Sequence, residues 1–166
     1  MDIKQFEIQI LPFKNKVFRL AYYLLSDRHE AEDTTQEIMM KLWSLKNSLE
    51  KIVNIQAFIL KMTRNLCLDK LRARQIRTSE TFAEQSVAVQ ERAANPHERT
   101  EQRNLLEVVQ KIIATLPEMQ RTVITLRDMQ ELEIQEIEAI TGMNENAIKV
   151  NLSRARKKIR DALNAM

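Results

Sequence analysis

Glycine is almost missing from this chain: Gly142 is the single one in 166 residues, beside three prolines. Tight hairpins and phosphate-cradling loops need residues that adopt positive φ cheaply, so the shortage excludes Walker and dinucleotide-binding loops and argues against sheets. The lone Cys67 allows neither an internal disulfide nor a zinc ribbon or finger, and it fits a reducing interior. The two histidines, His29 and His97, lie far apart, and His29-Glu30 lacks the second histidine of a zinc-protease motif. No apolar run is long enough for a signal peptide or a bilayer span, so a cytoplasmic protein without membrane insertion is expected. The residues offer no catalytic constellation, no metal site and no cofactor site. A non-enzyme is expected.

What is abundant is Leu, Ile, Ala, Glu, Lys, Arg, Gln and Met, all but Ile strong helix formers, which predicts an all-α fold. Helical periodicity places a first helix over 13–25 and a second from a cap at Ser26 or Asp27 to about Trp43. A weakly patterned loop over 45–55 and a third helix over 55–74 follow. Leu105, Val109, Ile112 and Leu116 repeat at helical spacing, and Pro117 suits the first turn of the next helix. Ile134, Ile137 and Ile140 mark a short helix that stops at Gly142, and Asn144 can cap the last one. The expected organisation is a helical domain over 1–77, a flexible acidic linker over 78–103 and a second helical domain over 104–166.

Net charge is only +3, but its distribution is uneven. Lys61, Arg64, Lys70, Arg72, Arg74 and Arg77 face a single Asp69 in one segment. Lys149, Arg154, Arg156, Lys157, Lys158 and Arg160 occupy another with no acid at all. Between them, residues 78–101 hold five Glu and two Arg. Two basic blocks separated by an acidic stretch point to two contacts with a polyanion.

On a helical wheel Ile148, Leu152, Ala155 and Ile159 form one apolar stripe. Opposite lie Asn146, Val150, Ser153, Arg154 and Lys157, with Lys149 and Arg160 on the flank. A short helix, a glycine turn and such a helix make the layout of a helix-turn-helix, with Gly142 supplying the left-handed residue. Val150 among short polar side chains suits a thymine methyl, and the uncompensated cations suit phosphate. The bland alternative is a solvated basic helix at the end of a bundle.

The stretch LPEMQRTVITLRDMQELEIQEIEAITGMNENAIKVNLSRARKKIRDAL resembles the fourth conserved region of bacterial sigma factors, especially the extracytoplasmic-function group. AEDTTQEIMMKLW and FILKMTRNLCLDKLRAR resemble the second conserved region of the same family, in the same order. The resemblance implies an alternative sigma factor that binds core RNA polymerase, at the β′ clamp helices and the β flap, and promoter DNA. It places minus-35 reading on Lys149, Val150, Ser153 and Arg154, with Asn146 and Asn151 beside them. Arg156, Lys157 and Lys158 are then phosphate contacts. Glu138 and Glu133 depart from the family pattern, which has a small residue and a Ser or Thr cap there.

In the second helix Thr35, Ile38, Met39 and Leu42 form the apolar side, and Asp33, Gln36, Glu37 and Met40 fall opposite. A methionine among acids and an amide is what a partner-binding face looks like, and the resemblance assigns these four to polymerase. In the third helix Ile59, Thr63, Leu66 and Cys67 point one way; Phe58, Lys61, Asn65 and Arg72 point the other, a face suited to an unstacked DNA strand. By resemblance Asn65 and the loop 46–54 hold an extruded minus-10 base, while Lys61, Arg64, Arg72 and Arg74 grip backbone. Phe58 has two readings, a stacking platform or a helix-start residue packed under the loop. Glu80, Glu84, Glu91 and Glu98 of the linker either mimic RNA charge in polymerase or merely solvate a tether. The family also makes an anti-sigma partner an expectation. The rival function is a helix-turn-helix regulator that never joins polymerase; another is a helical adaptor with no DNA role.

Overall fold

The computed structural model describes residues 1–80 and 101–166. Glu84, Glu91 and Glu98 of the expected linker lie outside the described residues. Among the described residues nine α-helices follow one another: α1 (Ile3–Gln9), α2 (Lys14–Leu25), α3 (Arg28–Ser44), α4 (Lys46–Leu49), α5 (Ile55–Glu80), α6 (Glu101–Ala114), α7 (Glu118–Ile124), α8 (Ile134–Thr141) and α9 (Glu145–Asn164). A 3-10 turn at Leu11–Phe13 links α1 to α2, and a π turn at Thr125–Met129 extends α7. Among the described residues there is no strand, and no helix is long and apolar enough to cross a membrane.

Local chemistry sets the helix ends. Asp2 and Gln5 form a capping box on α1, and the Asp27 carboxylate accepts from the Glu30 N–H at the start of α3. Asn54 accepts from Ala57 N–H over the first turn of α5. α2 ends on Ser26 at φ 56° and α8 on Gly142 at φ 74°. Thr35, Thr63, Thr122 and Thr125, all buried, return their hydroxyls to the carbonyl four residues back, so each is satisfied within its own helical stretch.

α1 was not expected from the sequence: only Phe6 and Ile10 turn inward, while Ile3 and Ile8 are exposed, so the stripe is too narrow to read. The expected loop over 45–55 contains the single turn α4, pinned by buried Leu49. α5 runs past Arg74 to Glu80. In α6 the buried position is Ile113, and Leu105 is exposed.

Two apolar clusters hold these helices. One lies within the first half, where Phe6, Ile10, Val17, Ile38, Leu42, Leu49 and Ile59 meet, with the Trp43 ring edge-on to Phe6 at 5.1 Å. The other is shared by both halves. Leu20, Leu24, Ala57 and Leu60 belong to the same buried cluster as Ile113, Leu116, Val123 and Ile137. The halves therefore meet along a seam formed by α2 and α5 on one side and by α6, α7, the π turn and α8 on the other.

Candidate nucleic-acid and polymerase interfaces

Gly142 closes α8 in the left-handed conformation, and its N–H bonds to the Glu138 carbonyl at 2.8 Å. A Cβ built there would meet nothing within 4 Å, so the requirement is one of backbone torsion and not of space. Thr141 fastens the turn by donating to Ile137 and accepting from the Met143 N–H. Asn144 then caps α9 by accepting from the Ala147 N–H at 2.8 Å, with Glu145 in the first turn against the positive end of the dipole. Glu133 precedes α8 but makes no side-chain cap; it faces Arg127 instead. Glu138 is half-buried and Ala139 exposed.

α9 seats Ile148, Leu152 and Ala155 in the shared core, with Ile159 partly buried behind them. That burial turns Asn146, Lys149, Val150, Ser153, Arg154, Lys157 and Lys158 outward. Val150, at 46% exposure, is an apolar side chain in the middle of a polar face. Arg154, Lys157 and Lys158 make no ion pair among the described residues. Three other positions are already engaged. Lys149 reaches Glu145 at 2.8 Å, Asn151 donates back to the Ala147 carbonyl, and Arg156 makes a two-pronged bond to Asp128 at 2.9 and 2.7 Å. The hydrogen bond to Asp128 pushes the Arg156 pKa up.

On α3, Thr35, Ile38 and Leu42 are buried, and Asp33, Gln36, Glu37 and Met40 stand outside as one face. Met40 is 72% exposed, so it serves no packing role among the described residues. Glu37 is tied to Lys70 at 3.0 Å, and the same ammonium donates to buried Thr34 at 2.8 Å.

On α5, Ile59, Thr63 and Cys67 are buried, and burial pushes the Cys67 thiol up to about 12. Lys61, Asn65 and Arg72 are exposed along one face. Phe58 is half-buried against the first-half cluster. Arg74 bonds to the Leu25 carbonyl and to Glu30, and Arg64 turns into the seam to pair with Glu118 at 3.2 Å. Between α4 and α5 the loop projects Val53 fully into solvent, and the Lys46 ammonium lies 3.7 Å over the Trp43 ring.

The acids Asp128, Glu118 and Glu30 were missed by sequence reasoning as partners of these cations. Their separations are 28, 54 and 44 residues, so no local pattern announces them. Among the described residues no group of three His, Cys, Asp or Glu side chains gathers as a metal site would require.

Two families match the chain: Sigma-70 region 2 over residues 10–77 and Sigma-70, region 4 over residues 106–159. The ECF RNA polymerase sigma factor SigE of Mycolicibacterium smegmatis is 28% identical over 149 residues, covering 90% of this chain and 58% of that protein. The ECF RNA polymerase sigma factor SigW of Bacillus subtilis is 26% identical over 159 residues, covering 91% of this chain and 84% of that one. Among solved structures, the sigma factor RpoE of Bartonella quintana, in complex with the anti-sigma factor NepR, superposes with a TM-score of 0.79 at 25% identity over 98% of both chains.

Proposed function

The chain belongs to the sigma-70 family, in its extracytoplasmic-function group, and from that membership we propose how its parts divide the work of promoter-directed initiation. Residues 1–77 form the domain that docks on core RNA polymerase and holds the opened minus-10 strand. Residues 104–166 read the minus-35 duplex and meet the β flap. The α3 face of Asp33, Gln36, Glu37 and Met40 docks on the β′ clamp helices. Asn65 and the loop 46–54 hold an extruded base while Lys61, Arg64, Arg72 and Arg74 grip backbone. Phe58 supports the loop from beneath, in keeping with its packing.

In the duplex, α9 lies in the major groove. Lys149, Val150, Ser153 and Arg154 read base edges, with Asn146 and Asn151 beside them, and Arg156, Lys157 and Lys158 hold phosphates. The observation that carries this reading is the orientation of α9: all four base-reading side chains stand exposed, opposite buried Ile148, Leu152 and Ala155. The chain supplies positioning and strand capture, and the polymerase supplies the chemistry, in the cytoplasm. RpoE, alike over both halves, has been seen with an anti-sigma factor, which supports an anti-sigma partner for this chain as well.

Gel filtration with core RNA polymerase tests the division. The expected result is co-elution of the full chain with the polymerase. Failure to co-elute, together with sequence-specific duplex binding by the chain alone, would mark a regulator that acts without polymerase.

A further inference from the structure

The π turn at Thr125–Met129 reaches both helices of the helix-turn-helix. It closes where the Gln130 N–H bonds to the Thr125 carbonyl at 3.1 Å, five residues back, so one extra residue enters the coil. Two neighbouring side chains of this turn take different targets. Arg127 donates to the Leu132 carbonyl at 2.7 Å and faces Glu133, which ties down the entry to α8. Asp128 accepts two bonds from Arg156 of α9, from Nε at 2.9 Å and from Nη2 at 2.7 Å. Single π turns inside a helix recur at functional sites.

Arg156 stands apart among the six cations of α9, Lys149, Arg154, Arg156, Lys157, Lys158 and Arg160. Lys149 pairs within its own helix, with Glu145. Among the described residues Arg154, Lys157, Lys158 and Arg160 make no ion pair, and Arg156 alone bonds to another element. An acid beside a phosphate-binding cation is a liability on charge alone, because it repels the phosphate. Geometry offsets that. A guanidinium carries five N–H groups in one plane, and Asp128 engages only Nε and Nη2, so Nη1 keeps no partner among the described residues. The Arg156 side chain remains 52% exposed while it is held. A free arginine would lose far more rotamer freedom on meeting DNA.

We propose that Asp128 is a positioning residue for minus-35 recognition: it fixes the Arg156 guanidinium with the open Nη1 edge presented to a phosphate of the duplex. The side chain is thus ordered when the chain folds and not when DNA arrives. This rests on the assignment of α9 to the minus-35 duplex.

The test uses the full chain with core polymerase, on a fluorescent duplex of the promoter upstream of this protein's own gene, with affinity measured over a range of salt. Asp128→Asn keeps the shape of the side chain and removes its charge. Glu131→Gln removes the same charge from the adjoining exposed turn. Positioning predicts that D128N binds about fivefold more weakly than wild type and that its salt slope falls by about one, as in Arg156→Gln. The double variant should bind no worse than R156Q, because Asp128 acts through Arg156. E131Q should bind as wild type does or more tightly, the sign that loss of an acid near DNA gives on charge alone. D128N that binds as tightly as wild type or more so, weaker binding with an unchanged salt slope, summed losses in the double variant, or an equal loss in E131Q overturns the proposal. Wild-type binding with an unaffected D128N strikes the role of Asp128 alone. A wild-type complex that ignores this promoter and others from the organism strikes the reading of α9, and the role of Asp128 falls with it.

Discussion

At Gly142 the chain needs a torsion angle that side chains resist, and nothing else, since the space for a methyl group is open. Gly142→Ala should therefore cost about 1–2 kcal/mol of stability, and Gly142→Asn less, as read from urea midpoints. Equal midpoints for all three would remove the torsional argument. Positive φ is not confined to the glycine: Ser26 and Glu131 also adopt it, at 56° and 59°. Cys67, grouped by helical spacing with Ile59, Thr63 and Leu66, is a small buried core side chain. With its thiol pushed up to about 12 by burial, it stays protonated at pH 8 and should resist iodoacetamide in the native chain while reacting after unfolding. Rapid native labelling would contradict its burial. Arg154, exposed and without an ion pair among the described residues, is the sharpest probe of base reading. Arg154→Ala should weaken promoter use about tenfold or more and leave polymerase binding intact. Loss of polymerase binding instead would refute the division of labour.

Elements with two strong signals were readable from the sequence. α3 had its Asp27 cap and a four-residue apolar side, and α9 had its Asn144 cap and the Ile148, Leu152, Ala155 stripe. Where one signal was missing, the reading slipped. In α6 the periodicity was right, but the buried face lies at Ile113 because that side meets the other half. The π turn has no sequence signature, yet it belongs to the segment that presents Asp128 to Arg156. Two predictions belong here. Asn144→Ala should lose the bond to the Ala147 N–H and lower stability by about 1 kcal/mol, measured in denaturant. Asp33→Ala combined with Gln36→Ala alters only exposed positions of α3, so helicity should be retained while affinity for core polymerase falls. Unchanged affinity would remove polymerase docking from that face.

For the whole molecule, charge segregation was legible but its pairing was not: α9 exposes Arg154, Lys157 and Lys158, whereas on α5 Lys61 and Arg72 stand exposed while Arg64, Lys70 and Arg74 are engaged by Glu118, Glu37 and Glu30. The mutual packing of the two halves was not legible either. The ion pair between Arg64 and Glu118 and the bond between Gln56 and Glu136 join residues 54 and 80 positions apart, and each side chain alone reads as ordinary surface. In the proposed function both faces nonetheless serve one event, the start of transcription at a chosen promoter. Run-off transcription with core polymerase, on the promoter upstream of this protein's own gene, tests that most directly. A transcript of defined length that requires the chain, falls with Arg154→Ala and falls with Asp33→Ala and Gln36→Ala together is the predicted result. Core polymerase that yields the same products with and without the chain, on this promoter and on others from the organism, would contradict it.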